Sequence, residues 1–240
     1  MHIREDFVAR SKISDIGRWY VTQFVHGAAA SLAPGTRILD AGAGECAYRS
    51  FFAHCDYKAA DLAVGDANWN YGNLDYVAPL DHLPIESASF DAVMCTQVLE
   101  HLEKPLESLG EMQRVLKPGG RLFLSAPMAH PEHQIPYDFF RYTSYGLRSL
   151  CERAGFVDVK VTPMGGLFAR WAYELPFALS LLPRAGLRSG KPGLRGVLAL
   201  PVKAAGFIVV RLLQALLLAI DPLDWRRDFP LGWAVEARKP

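Results

Sequence analysis

The chain has 240 residues, half of them apolar, and a formal net charge of +1. That suits one large core, or one core with an appendage, and the balanced charge excludes a globally basic nucleic-acid binder. The four cysteines, Cys46, Cys55, Cys95 and Cys151, are too scattered for a disulfide framework or a metal knuckle and read as small core residues in a reducing cytosol.

Residues 1–10 are charged and show no apolar stretch of the kind a secretory signal needs, so a cytoplasmic chain is expected. Residues 13–32 then predict a helix, closed by the breaker Pro34-Gly35. A short buried strand follows at 37–40 and runs into Gly42-Ala43-Gly44. Residues 45–53 are helix-compatible, 57–60 predict a second strand ending at Asp61, and 74–78 a third. A fourth strand is expected over 89–95. Helical periodicity then spans 105–116 through Leu106, Leu109, Met112, Val115 and Leu116. Lys117-Pro118-Gly119-Gly120 stops that helix, and 121–125 predict a fifth strand. A helix at 145–154 is capped by Thr143 or Ser144 and closed by Gly155, and 156–161 predict a sixth strand. A last strand at 233–238 comes after a long insertion. Strands alternating with helices imply an α/β, doubly wound, mostly parallel sheet with helices on both faces.

The order strand, glycine turn, helix marks a nucleotide-type cofactor site, because glycines let backbone approach a ligand without an intervening Cβ. Two cofactors fit the pattern. Gly42-Ala43-Gly44-Glu45-Cys46-Ala47 matches a dinucleotide fingerprint with Ala in third place, and Asp61 lies at about the distance of a ribose-binding acid. That reading makes an NAD(P)-dependent oxidoreductase. Asp40 opposes it, since a carboxylate beside the turn repels a pyrophosphate. S-adenosyl-L-methionine has no phosphate and carries an ammonium and a sulfonium. Asp40 would favour its ammonium end and Asp61 would accept from its ribose hydroxyls.

Four motifs in order carry a resemblance. They are Leu39-Asp40-Ala41-Gly42-Ala43-Gly44, Leu83-Pro84-Ile85 with Ser89-Phe90-Asp91-Ala92-Val93, Val98-Leu99-Glu100-His101, and Val115-Leu116-Lys117-Pro118-Gly119-Gly120. Together they resemble class I S-adenosylmethionine-dependent methyltransferases of the type 11, small-molecule kind. The match covers residues 37–126 and extends to about 160 through Tyr145-Gly146-Leu147 and Ala154-Gly155-Phe156. The resemblance implies a Rossmann-like sheet whose last strand is antiparallel. It implies that Asp40, Gly42 and Gly44 hold the amino-acid end of the cofactor and Asp61 the ribose. The family often has glycine where Cys46 stands, and an acid for the adenine amino group where Pro79 stands. Asp81 is the substitute, with the Leu80 and Asp81 backbone as the alternative. Gln97, just past the fourth strand, is placed to touch the methionine part or the acceptor. His101 reads as a capping or packing residue.

Residues 127–143 form a long segment beyond the fifth strand, where long loops are often functional. His130 and His133 are the candidate general bases there, with Tyr137 and Asp138 as orienters. The bland reading makes Phe139, Phe140 and Tyr142 core and Asp138–Arg141 a local ion pair. His130, Glu132, His133 and Asp138 lack a further ligand cluster, so no metal is expected.

Three segments are expected: a core over 1–163 with an N-terminal helix, a hydrophobic basic helical insertion over 164–227, and a final strand within 228–240. Between Glu174 and Asp221 there is no acid, while Arg184, Arg188, Lys191, Arg195, Lys203 and Arg211 are basic. Residues 204–220 are strongly apolar, broken by Arg211 and Gln214, which disfavours a spanning helix. Residues 196–220 are expected to pack in the core, against a second copy as a homodimer, or at a bilayer interface. In the last setting residues 190–220 make a peripheral contact at the inner face of the membrane. The expected activity is methyl transfer to a small-molecule or lipid- or glycan-linked acceptor, with no nucleic-acid partner. The alternatives are the oxidoreductase and a non-catalytic cofactor-binding subunit of a membrane complex.

Overall fold

The computed structural model describes residues 12–13, 15–65, 69–180, 187–188, 191–192 and 200–240. In chain order its elements are α1 (Ile16–Ala30), β1 (Arg37–Ala41), β2 (Asp56–Asp61), β3 (Tyr76–Val77), β4 (Phe90–Thr96), α2 (Pro105–Val115) and β5 (Leu116–Pro127). There follow α3 (Ser144–Arg153), β6 (Val157–Met164), α4 (Leu167–Ser180), a two-stranded hairpin of β7 (Leu187–Arg188) and β8 (Lys191–Pro192), α5 (Leu200–Ile220) and β9 (Gly232–Arg238).

After its first residue β1 is wholly buried, the mark of a central strand covered on both faces. It pairs in parallel with β2 and β4, and the whole sheet runs β3-β2-β1-β4-β5-β9-β6. β9 inserts between β5 and β6, antiparallel to both. Alternate residues divide the core. Leu39, Val93, Leu122, Leu124 and Val235 face α2 and α3. Ile38, Ala92, Met94, Phe123 and Ala234 face Val21 and Val25 of α1. The α/β sheet with its antiparallel last strand is therefore as expected. Cys46, Cys95 and Cys151 are buried thiols, and Cys55 is partly exposed.

Several local expectations change. Residues 45–53 do not form an α-helix; the segment is a turn ending in a short 3-10 helix, Arg49–Phe52. The physical cause is at Cys46, whose φ of 59° lies in the left-handed region and interrupts helical propagation. The third strand is only two residues long. The fifth is far longer than expected, because Leu116 already pairs with Phe90. Thr143, not Ser144, caps α3: its Oγ1 accepts from Gly146 N at 3.1 Å.

The residues between β6 and β9 dock through an acid. Asp221 Oδ1 accepts from Gly166 N at 3.2 Å and Ala169 N at 2.8 Å, at the otherwise unsatisfied start of α4. Its Oδ2 accepts from Arg227 at 3.0 Å. Asp224 Oδ2 takes Leu167 N at 2.8 Å. Gln214 Nε2 donates to Ala172 O at 2.8 Å, and Arg211 donates to Ile13 O. Ile16, Ala169, Ala172 and Leu231 fill the junction with α1.

On α5, Arg211 and Gln214 thus face inward, beside Val210, Leu217 and Leu218. Its outward residues, Phe207, Ile208, Val209, Leu212, Leu213 and Leu216, are exposed, Leu212 at 67%. Residues 203–223 are long and apolar enough to cross a membrane, with mean hydropathy 1.9, and only 17% of the most apolar stretch is buried. Replacing Asp221 with Ala is expected to cost about 3–5 kcal/mol, the range for breaking one side of a buried charge pair. A shift of the denaturant midpoint checks this, and an unchanged midpoint would show that the cap does not hold the helices.

Candidate active site

A cavity of about 760 Å³ opens beyond the carboxyl ends of β1, β2 and β4, where doubly wound sheets bind ligands. Its floor is the turn after β1. Gly42 has φ 85°, and a Cβ there would lie 2.4 Å from Val98 Cγ2. Gly44 has φ 51°, with Trp69 Cζ3 3.3 Å from the same hypothetical position. Only glycine fits at Gly42, and the backbone is left bare toward the cavity. Cys46 adopts a positive φ of 59°, which a glycine at that place would take without strain.

Asp40 ends the buried part of β1 and is 2% exposed. Burial pushes its carboxyl up to about 7, with the nearby Asp61 adding to the effect and the Tyr57 hydroxyl, which donates to Oδ2, opposing it. Asp61 braces the turn. Its Oδ2 accepts from Gly44 N at 2.9 Å and its Oδ1 from Ala63 N at 2.7 Å. Asp81 lies on the wall and approaches Lys104 Nζ at 3.8 Å. Gln97 has φ 55°, and its Nε2 donates to Ser125 Oγ at 3.1 Å, which leaves the carbonyl end of the amide as its free acceptor. All six residues read from the sequence as cofactor contacts, Asp40, Gly42, Gly44, Asp61, Asp81 and Gln97, line this one cavity.

The residues present fit S-adenosylmethionine better than a dinucleotide. Two carboxylates flank the turn, and the lysine and arginine on the walls, Lys104 and Arg18, already face Asp81 and Asp15. The single 3-10 turn after the glycines offers little of the helix dipole that a pyrophosphate uses.

The far wall is built by the segment after β5. His130, His133 and Tyr137 line the cavity, while Asp138 lies behind them. Asp138 forms a two-pronged pair with Arg141, at 2.7 and 2.8 Å, and accepts from His133 N at 2.9 Å. The Arg141 guanidinium holds its carboxyl well below the usual carboxylate range. Asp138 therefore acts as a brace on His133, whose Nδ1 is 3.4 Å away. Tyr142 is buried and donates to Leu99 O at 3.0 Å, but Phe139 and Phe140 are exposed and are not core.

The sequence reading missed the acid at the centre of this wall. Glu100 is 1% exposed, and its Oε2 has no hydrogen-bond partner among the described residues. Burial pushes its carboxyl up to about 8. His101 packs beside it, with Nε2 3.8 Å from Glu100 Oε1. Its Nδ1 is 2.5 Å from Tyr137 O. A carbonyl only accepts, so Nδ1 carries the proton and Nε2 is bare. His133 Nδ1 likewise meets Pro131 O at 3.1 Å. The rings of His101 and His133 lie 4.6 Å apart, and those of His133 and His130 4.2 Å. Burial lowers the pKa of both His101 and His133, so both are neutral at pH 7. Trp69, over the glycine turn, and Tyr173, from α4, complete the walls and were also unread. The available signal was topological: β4 and β5 are neighbours, so the segments leaving them meet.

Residues 39–124 match a family model described as a methyltransferase domain. The chain is 34% identical over 125 residues to the demethylmenaquinone methyltransferase of Renibacterium salmoninarum, covering 49% of this chain and 51% of that protein. It is 34% identical over 146 residues to a probable S-adenosylmethionine-dependent methyltransferase of Mycobacterium tuberculosis, covering 55% and 51%. The chain thus spans about half the length of these relatives. Among solved structures, phosphoethanolamine N-methyltransferase 2 of Haemonchus contortus with S-adenosyl-L-methionine aligns with TM-score 0.53 at 17% identity, covering 100% of this chain and 60% of that one. The [4+2]-cyclase SpnF aligns with TM-score 0.54 at 19% identity, covering 91% and 82%. These two likenesses concern the fold. With the glycine turn and its two carboxylates, the domain match makes residues 39–124 a methyltransferase domain, and the cofactor that its residues fit is S-adenosylmethionine.

Proposed function

We propose that the chain transfers a methyl group from S-adenosylmethionine to an acceptor that is lipid-linked or otherwise presented at a membrane surface. The observation that carries the transfer is the pair of carboxylates, Asp40 and Asp61, on one glycine turn at the floor of a cavity whose far wall is imidazole. The cofactor supplies a methyl group already activated by a positive sulfur. The chain's part is to hold and to dry. Asp61 orients the ribose hydroxyls, and Asp40 draws the ammonium toward the turn. Holding the acceptor in line with the methyl group is worth up to roughly 7–11 kcal/mol. A hydroxyl acceptor also loses a proton, taken at the bare Nε2 of His133 or by His130, for a gain of about 100- to 10,000-fold. Imidazoles on the wall favour catalysis over a purely cofactor-binding subunit.

The outward face of α5 supports the membrane part. Its exposed leucines and aromatics continue to Leu223 and Trp225, the latter 86% exposed. The acid-free, basic residues before it match an anionic bilayer. Each large side chain buried in lipid contributes about 1.5–3 kcal/mol. Arg211 and Gln214, held by Ile13 and Ala172, keep the helix on the protein, which favours lying in the interface over spanning it.

Calorimetry with S-adenosylmethionine is expected to give saturable binding that weakens at least ~10-fold in Asp61→Ala, the loss of charge-assisted hydrogen bonds. The affinity depends on pH through Asp40. Its protonated form, present below about 7, offers nothing to an ammonium. Binding should therefore tighten as pH rises through 7, by up to about tenfold per unit below it, and Asp40→Asn should flatten the profile. NAD binding in place of S-adenosylmethionine would end the reading.

Flotation with vesicles containing anionic phospholipid tests the surface. The wild type should rise with the vesicles, and the double variant Leu212→Glu/Leu216→Glu should stay behind with its cofactor affinity intact. Equal flotation would remove α5 as the anchor. Dimers in sedimentation that dissociate in the double variant, without flotation of the wild type, would assign the face to a second copy.

A further inference from the structure

We infer that Glu100, His101 and His133 form a binding site for a divalent metal ion of the zinc class at the acceptor end of the cavity. The donor atoms of these three side chains lie within 4.8 Å of one another. They come from two different places in the chain. Glu100 and His101 follow β4, His133 follows β5, and the adjacency of those strands brings them together.

Three independent features point to a cation. The first is the unpartnered pair of atoms: Glu100 Oε2 and His101 Nε2 are both buried with no hydrogen-bond partner among the described residues. Buried polar groups are nearly always satisfied, and a carboxyl oxygen and a ring nitrogen left bare side by side are a costly omission. The second is the orientation of the rings. His101 and His133 each turn Nδ1 to a backbone carbonyl, of Tyr137 at 2.5 Å and Pro131 at 3.1 Å. This is how metal-binding imidazoles are held, with the second ring nitrogen left for the ion. The third is support behind the donors: the Asp138–Arg141 pair fixes the His133 backbone.

Two imidazole nitrogens and one carboxylate form a borderline donor set that suits Zn²⁺ and Co²⁺ over the hard, all-oxygen preference of Mg²⁺ and Ca²⁺. Metal–donor bonds of about 2.0–2.2 Å require the donors to draw together slightly, within the reach of side-chain rotation. Three protein donors leave one position open. The cavity on that side is also lined by His130 and Tyr173, and an acceptor hydroxyl bound there would complete the set. The ion would stabilise the alkoxide, and His130 would receive the proton while His133 is engaged as a ligand. That role rests on the proposed methyl transfer; the binding site does not.

The test uses the tag-free full chain after treatment with a chelator and dialysis. Titration with Co²⁺ should produce a visible absorption band that saturates at one equivalent, and calorimetry with Zn²⁺ should show the same stoichiometry. Glu100→Gln and His133→Ala should each lower the affinity by at least about 10- to 100-fold, the loss seen when even the groups behind a metal ligand are removed. Unchanged circular dichroism establishes that these variants fold. Glu132→Gln, an exposed neighbour of His133, should bind like the wild type. Absence of a saturable band and heat, or equal affinity in Glu100→Gln and His133→Ala, would overturn the site. Metal binding without methyl transfer would instead fail the functional reading and leave the site standing.

Discussion

Asp40 is a carboxylate at the end of a strand buried on both faces, and the cofactor end of the cavity is arranged around that cost. The strand has to be central for the turn after it to sit over the carboxyl edge of the sheet. Its burial leaves the acid short of water, with one hydroxyl, from Tyr57, as compensation. Asp61 cannot relieve it, being of the same sign, and instead fastens Gly44. A site with that balance is poised for a cation. A diphosphate would add negative charge where the chain already has too much, whereas an ammonium removes the imbalance. In the proposed site the same residues would both position the cofactor and select its chemical class.

The same logic recurs on the opposite wall. Glu100 is as deeply buried as Asp40 and has less to compensate it, since Arg141 is committed to Asp138. Two deeply buried acids in one cavity, one of them with an unpartnered oxygen, are a large penalty for a fold to carry without ligands at both ends. The cofactor accounts for the first. The second acid, its carboxyl pushed up to about 8, faces neutral imidazoles, and no hydrogen bond joins its Oε2 to them. A cation satisfies the acid and both rings at once.

The cofactor end was legible because its residues follow each other at strand ends. Glycines, an acid before them and an acid about 20 residues later are fixed by the geometry of two adjacent parallel strands and the crossover between them. The turn after Gly44 was not, since nothing in Glu45-Cys46-Ala47 announces that Cys46 will take a left-handed conformation. Trp69 was equally silent: its place over Gly44 comes from tertiary packing in an aperiodic loop. At the acceptor wall, His130 and His133 stood out by composition, but Glu100 and His101 looked like the start of a helix. That helix begins only at Pro105. The two residues are instead pulled into the cavity wall by a 3-10 turn, and no local periodicity distinguishes that turn from a helix start.

The insertion shows a different limit of pattern reading. Its apolar composition was plain, yet composition does not say which face turns inward. In a helix that packs on a soluble core, the leucines are expected inside and the arginine and glutamine outside. α5 inverts this. Gln214 is buried against Ala172 and Arg211 reaches back to Ile13, while most of the large apolar side chains point away and only Val210, Leu217 and Leu218 turn to the protein. The inversion is stable because the inward polar groups find backbone carbonyls and because Asp221, at the helix's end, caps the start of α4. A helix fastened by its polar stripe and offering its apolar one is matched to an apolar surrounding. It also sets Tyr173 of the neighbouring helix into the cavity wall, so the element that would meet a bilayer and the wall that would meet the acceptor are joined through a single helix pair.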